Sequence, residues 1–307
     1  MRNKKIGVLY GGLSRERDIS VISGKAVLNV FEKLKINACG IDVDRNVCDK
    51  IKKEKIDIAF IALHGYVGED GVIQGMLEML GIPYTGCGIF GSSASINKDI
   101  SKQFFQFNGI LTPEWKVLKK SEALPEIKQY PIVVKPVLEG STIGVLMVKK
   151  ASHFAAAVKE AFKYGEEIII EQFVDGKEIT VSVLNGKVLP IIEILHKGDL
   201  YDFNSKYKKG FSRYVIPADI TKKSYKKARD FAEKIYKIFK CNGMCRVDMV
   251  VDKKDKVWVL ENNTVPGMTE NSLLPAAGAA AGYDFESLVL EIVESTLKNG
   301  KKKALCL

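Results

Sequence analysis

The stretch from Arg246 to Asn263 leaves this chain little conformational choice. Val-Asp-Met-Val-Val and Val-Trp-Val-Leu-Glu are joined by Asp-Lys-Lys-Asp-Lys, the pattern of two antiparallel strands meeting at a polar turn near Lys253 and Lys254. Successive strand residues face opposite sides, so Arg246 and Asp248 share one face while Val247 and Met249 take the other. A turn at that point sets Arg246 opposite Glu261, with Asp248 as diagonal neighbour at roughly 7–8 Å between backbones. Asn263 falls on the face of Glu261, and Asn262 to Gly267 ends the pair in a polar, turning loop. Two carboxylates and an amide oxygen in one patch suit Mg²⁺, a hard ion usually held by one or two carboxylates plus substrate phosphates. A surface ion pair between Arg246 and Glu261 is the competing account.

Phosphate would explain two other features. Glu139-Gly140-Ser141-Thr142-Ile143-Gly144 follows the strand-like Pro131–Pro136 run, and such a loop can turn successive backbone N–H groups toward an anion. Lys135, at the end of that run, adds a point charge. No G-x-x-x-x-G-K-[ST] occurs, which excludes a P-loop.

Near the N-terminus, Ile6–Tyr10 is stopped by Gly11-Gly12 and Asp57–Leu63 by His64-Gly65, with a helix-like Ser20–Leu34 between them. Two apolar strands separated by a helix predict a parallel sheet. Ligands of such sheets sit beyond the carboxyl ends of the strands, which places Glu16 and His64 beside a cleft. A plain turn after each strand explains the glycines equally well, since G-x-G-x-x-G is absent. Further helices are expected over Lys98–Phe107, Ser152–Tyr164 and Tyr225–Phe239, and further strands over Ile168–Glu171, Ile179–Leu184 and Val188–Ile194. At roughly 150 residues per domain, 307 residues make two or three domains, divided as 1–96, 97–178 and 179–307.

Composition removes whole classes. With 46% hydrophobic and 27% charged residues, the chain is neither disordered, fibrous nor a disulfide scaffold. Six scattered cysteines read as reduced thiols of a cytoplasmic protein, and Cys241 and Cys245 lack the partners a zinc site needs. The longest uncharged stretch, Met79–Asn97, is broken by Pro83 and several glycines, so no membrane span or membrane partner is expected. The net charge of +10 falls in separate lysine clusters and not along one basic stripe. Nucleic-acid binding therefore stays a rival class resting on charge alone, and no nucleic-acid partner is expected.

Seven motifs, in order, then carry a resemblance. They are Gly11 to Ser20; Ala62-Leu-His64-Gly65 with Gly68-Glu-Asp-Gly71; Val134-Lys135-Pro136 with Glu139-Gly-Ser141; Glu171 to Glu178; Lys206-Tyr207; Arg246-Val-Asp248; and Glu261-Asn-Asn263-Thr-Val-Pro-Gly267-Met. Over nearly its whole length the sequence resembles the D-alanine–D-alanine ligases of the ATP-grasp superfamily. The resemblance implies an α/β fold: a Rossmann-like parallel-sheet domain, and two α+β domains clasping a nucleotide.

It also implies a reaction and roles. ATP phosphorylates one D-alanine, and the amine of a second attacks the acyl phosphate to give the dipeptide used in peptidoglycan precursors. By resemblance, Asp248, Glu261 and Asn263 hold two Mg²⁺, which Mn²⁺ can replace. Lys98, Lys135 and Lys206 meet the phosphates, Glu171, Phe173 and Val174 line the adenine pocket, and Glu178 holds the ribose. Glu16 pairs with the first D-alanine's ammonium, His64 borders that site, and Ser272 and Leu273 contact the second substrate. Arg246 and the Gly267 N–H stabilise the oxyanion; Ser141, Tyr207 and Glu16 close the second site. Lys197–Gly210 reads as a lid, and its Tyr207 resembles the dipeptide-forming type, with D-serine or D-lactate as the alternative second substrate. A homodimer is expected, and Leu77, Met79 and Leu80 read either as its contact residues or, equally, as core. His153 and His196 read as surface residues.

Overall fold

The computed structural model describes residues 4–196 and 212–303. Strand β1 (Ile6–Gly11) lies at the centre of a parallel sheet, flanked by β2 (Ala38–Val43) and β3 (Ile58–Ile61). The near-continuous apolar runs of β1 and β3 are those of strands covered on both faces. Sequence reading missed β2, whose Gly40 and Asp42 interrupt the apolar pattern and which buries only Ile41 and Val43. Helix α1 (Arg17–Lys33) connects β1 to β2; α2 (Val47–Glu54), α3 (Val72–Met79) and α4 (Ile89–Ile96) follow. Two C-terminal helices, α8 (Leu273–Ala280) and α9 (Phe285–Lys303), return to this region, where Leu274, Leu288 and Ile292 share a core with Ile6, Leu9 and Phe60.

The middle of the chain forms an antiparallel sheet in the order β4 (Trp115–Lys119), β7 (Glu167–Gln172), β5 (Ile132–Pro136), β6 (Leu146–Val148). Its Ile132, Val134, Ile168 and Ile170 pack beneath α6 (Phe154–Ala161). Alternation therefore turns Val133, Lys135 and Glu171 to the opposite face. Helix α5 (Lys98–Phe107) has the predicted limits, and its start is set by Asn97, whose side chain caps the Ile100 N–H.

A second antiparallel sheet runs β11 (Ser212–Val215), β10 (Ile192–His196), β8 (Gly176–Leu184), β12 (Met244–Asp252), β13 (Val257–Asn263), with β9 (Lys187–Val188) beside β8. Helix α7 (Lys222–Ile238) buries Ala228, Phe231, Ala232 and Ile235 against its back, onto Val181, Val247, Met249 and Val259. The polar residues of β8, β12 and β13 are left on the front.

The hairpin register differs from expectation. Arg246 faces Asn263, and Asp248 faces Glu261. The tip takes three residues, ending on Asp255 at φ 60°, and a bulge admits Leu260 as an extra residue between the pairs Met249–Val259 and Asp248–Glu261. Each feature shifts pairing by one residue. Together they shift it by two, a full pleat, so the four polar side chains keep their shared face.

Candidate active site

Between the front of this sheet and the face of the middle sheet turned away from α6 lies a cleft of about 920 Å³, including space open to solvent. Lys98, Lys135, Glu171, Phe173, Val174 and Glu178, expected at a nucleotide, all line it, as do Asp248 and Glu261. Lys135 Nζ donates to Glu171 Oε1 at 2.9 Å, and Lys98 Nζ donates to the Glu139 carbonyl at 2.5 Å while standing 3.8 Å from Glu261 Oε2. Burial pushes the Glu171 carboxyl upward in pKa, but Lys102 and Lys135 more than reverse it, leaving it below the ordinary range. Lys102, 2.5 Å from Glu171 Oε2, escaped the sequence reading. Its position four residues after Lys98 on a predicted helix was the available signal.

Asp248 is the most heavily bonded acid here. Its Oδ1 accepts from Arg246 Nε at 2.9 Å and from Thr180 Oγ1 at 2.6 Å; its Oδ2 accepts from Arg246 Nη2 at 2.8 Å and from Asn263 Nδ2 at 2.9 Å. The charge partner of Arg246 is thus Asp248, not Glu261 as in the surface-pair account. Among the described residues no three His, Cys, Asp or Glu side chains gather as a self-sufficient metal cage. What converges is Asp248 and Glu261 on paired strands with the Asn263 amide beside them. That oxygen donor set fits Mg²⁺ completed by phosphate oxygens.

A second pocket, about 1090 Å³ including space open to solvent, is lined by Glu16, His64, Ser141, Arg246, Gly267, Ser272 and Leu273, the residues expected about the substrates, and also by Asn263, which was expected at the metal and does not line the nucleotide cleft. Gly140 borders both spaces. Ser141 and Thr142 adopt left-handed backbone at φ 46° and 64°, a costly state for a β-branched residue, and Ser141 Oγ donates to Glu16 Oε1. A Cβ on Gly140 would stand 2.7 Å from Glu16 Oε2, so any other residue here would push that carboxylate aside. Ser14 ties the two N-terminal motifs by donating from Oγ to the His64 carbonyl at 2.6 Å.

His64 is buried with Nδ1 3.8 Å from Glu69 Oε1. Burial pulls its pKa down, but Glu69 and Glu16 outweigh burial and raise it. Glu69, inside a quoted motif yet given no role, and Tyr214 also line the pocket. His196 contradicts its surface reading, since it is largely buried with Nε2 3.4 Å from Glu178 Oε1, whereas His153 is exposed. Lys206, Tyr207 and the segment Lys197–Gly210 lie outside the described residues.

Comparison with known proteins points to one family. The profile described as D-ala D-ala ligase C-terminus matches residues 98–294, and that described as D-ala D-ala ligase N-terminus matches 44–87. The chain belongs to the D-alanine–D-alanine ligase family. A family member from Geotalea uraniireducens is 45% identical over 95% of this chain and 96% of its own, and one from Citrifermentans bemidjiense is 44% identical over 96% and 97%. Among solved structures, the Bacillus anthracis ligase complexed with ATP superposes with a TM-score of 0.86 at 34% identity, covering 98% of this chain and 99% of that one. The Coxiella burnetii ligase gives 0.84 at 27% identity, over 100% and 97%. The mixed α/β architecture, with its parallel sheet and two antiparallel sheets, is the ATP-grasp fold of this family.

Proposed function

We propose that this protein joins two D-alanines into D-alanyl-D-alanine at the expense of ATP, as a step of peptidoglycan precursor synthesis. The observation that carries this reading is the contact between the two spaces. Arg246 of the second pocket is paired with Asp248 of the nucleotide cleft, and Gly140 borders both. A carboxylate held beside Glu16 would be within reach of a terminal phosphate held by Lys98 and Lys135.

In this reading Glu171 accepts the exocyclic amine of adenine, Phe173 and Val174 flank the base, and Glu178 takes the ribose hydroxyls. Lys206 adds charge at the phosphates. Asp248, Glu261 and Asn263 hold Mg²⁺, or Mn²⁺ in its place, which neutralises phosphate charge. The first D-alanine, its ammonium paired to Glu16 and its edge against His64, attacks the γ-phosphorus through a carboxylate oxygen, and ADP leaves. The second, placed by Ser272 and Leu273, attacks the acyl carbon through its amine. Arg246 and the Gly267 N–H stabilise the oxyanion, a role that needs donors fixed before charge develops. Phosphate departs, the nitrogen loses a proton, and the dipeptide remains. Ser141 and Tyr207 orient this second step with Glu16.

The reading extends to a cytoplasmic homodimer with domains at 1–96, 97–178 and 179–307. Among the described residues no helix is long and apolar enough to cross a membrane. Met79 is 92% exposed and available to a second copy, whereas Leu77 is fully buried and belongs to the core. The deciding experiment is phosphate release from ATP and Mg²⁺ with D-alanine alone, L-alanine alone, or D-alanine plus D-serine or D-lactate, with products weighed by mass spectrometry. D-Alanine-dependent release with D-alanyl-D-alanine is expected. Release only with D-lactate or D-serine present would replace the second substrate, and no release with any D-amino acid would overturn the reading.

A further inference from the structure

Lys102 has no part in the roles above, yet its surroundings are unusual. It lies one turn after Lys98 on α5, is fully buried, and meets three parts of the chain. Its ammonium is 2.5 Å from Glu171 Oε2, donates to Thr112 Oγ1 at 2.7 Å and to the Pro113 carbonyl at 3.2 Å, and stands 5.4 Å from the Trp115 ring centroid. Replacing buried ion pairs by well-packed apolar groups is often neutral or stabilising. Stability alone is therefore a poor reason for an ammonium here.

We infer that Lys102 is a positioning residue for nucleobase selection, holding the Glu171 carboxylate in the orientation that accepts the adenine amine. The inference rests on the reading of Glu171 as the partner of that amine. A carboxylate offers two oxygens and about four acceptor sites. Lys135 occupies Oε1, but Lys135 also faces the cleft where phosphates are expected. Were it the sole cation, Glu171 would be free to follow it as it turned toward a ligand. Lys102 is anchored instead on Thr112 and Pro113, so its hold on Oε2 is independent of what occupies the cleft.

The second lysine also keeps Glu171 ionised despite complete burial. An ionised carboxylate can only accept hydrogen bonds. It therefore suits the adenine amine and repels the carbonyl oxygen that hypoxanthine and guanine carry at the same ring position. Burial and Lys135 bring Lys102 itself down to about 8, which leaves it charged at neutral pH. The anchor continues into the metal-side strand, because Thr112 Oγ1 donates to the Val259 carbonyl at 2.8 Å, immediately before the bulge that presents Glu261.

The test compares ATP with inosine triphosphate, which carries a carbonyl in place of that amine and a proton on the adjacent ring nitrogen, in steady-state ligation of D-alanine. Lys102→Met should lower the ATP-over-ITP ratio of kcat/KM at least tenfold through KM for ATP, with KM for D-alanine unchanged, and Lys102→Arg should restore most of the ratio. Should Lys102→Met fail to fold, Thr112→Val removes the anchor and should lower the same ratio about threefold. Equal losses with both nucleotides, in whichever of these variants folds, would overturn the inference and leave Lys102 a packing residue. Glu171→Gln separates the two layers: if it leaves the ratio unchanged, the reading of Glu171 fails, and if it collapses the ratio while Lys102→Met and Thr112→Val do not, only the inference about Lys102 fails.

Discussion

The nucleotide cleft and the second pocket are built from different material. The cleft is walled by strand faces: Lys135 and Glu171 alternate with buried isoleucines and valines on β5 and β7, and Asp248 and Glu261 do the same on β12 and β13. The second pocket is walled mainly by loops and helix starts: the turns after β1 and β3, the glycine loop at 139–144, and the segment from Asn263 to Leu273. A strand face can be deduced by alternation with no knowledge of the partner strand. A loop wall has no period, and its members meet only through contacts distant in sequence, such as Ser141 to Glu16.

The largest expected effect falls on the strand-built side. Asp248→Asn and Glu261→Gln each remove one unit of charge without changing shape. They should lower kcat about a thousandfold, roughly 4 kcal/mol of barrier, while circular dichroism at the assay temperature stays that of the folded parent. Activity within tenfold of the parent for either variant would mean that this face does not hold the metal.

The cleft also depends on buried charge, and that dependence has a sign. Lys102 falls from the ordinary lysine value of 10.5 to about 8 in the folded protein. Between those values the unfolded chain binds more protons, so this residue's contribution to stability rises with pH across that window and is flat below it. The stability of the parent relative to Lys102→Met should climb from pH 8 to 10.5, by at most about 3 kcal/mol, readable as a growing difference in denaturant midpoint. A constant difference over that range would mean that the ammonium is not held in its buried setting.

On the loop-built side, Glu16→Gln should raise KM for the first D-alanine about a hundredfold, near 2.7 kcal/mol, and leave KM for ATP alone. Gly140→Ala brings a methyl against the same carboxylate oxygen. Since that oxygen ends a flexible side chain, the fold should hold while KM for D-alanine rises about tenfold. If both variants changed KM for ATP as much as KM for D-alanine, the two regions would have to be treated as one.

These contrasts explain what the sequence made legible. Helix α5 and strands β5, β7, β12 and β13 were readable because periodicity and capping are local, as at Asn97. Strand β2 was not, because it buries only Ile41 and Val43 and its apolar pattern is broken by Gly40 and Asp42. The face of the Arg246–Asn263 hairpin was deduced correctly though its register was not, since a long tip and a bulge leave no mark beyond one extra residue each. For Gly267 and Ser272 local pattern was silent, and only motif resemblance singled them out, whereas the strand ends already placed Glu16 beside a cleft; the arrangement of all three follows from tertiary contact.

His196 gives the smallest and most discriminating case. It ends β10 in a sequence that looks like an exposed strand terminus, and nothing local predicts that Glu178 will stand 3.4 Å from its Nε2. The pairing with β8 that sets Ile194 against Glu178 brings the ring there. If the imidazole steadies the carboxylate proposed to take the ribose hydroxyls, His196→Ala should raise KM for ATP two- to fivefold, below about 1 kcal/mol, with kcat and KM for D-alanine unchanged. Groups acting as one unit lose additivity, so Glu178→Gln combined with His196→Ala should cost no more than Glu178→Gln alone. Full additivity of the two would show that the histidine acts elsewhere, and would make the nucleotide side less a matter of strand faces than its other residues indicate.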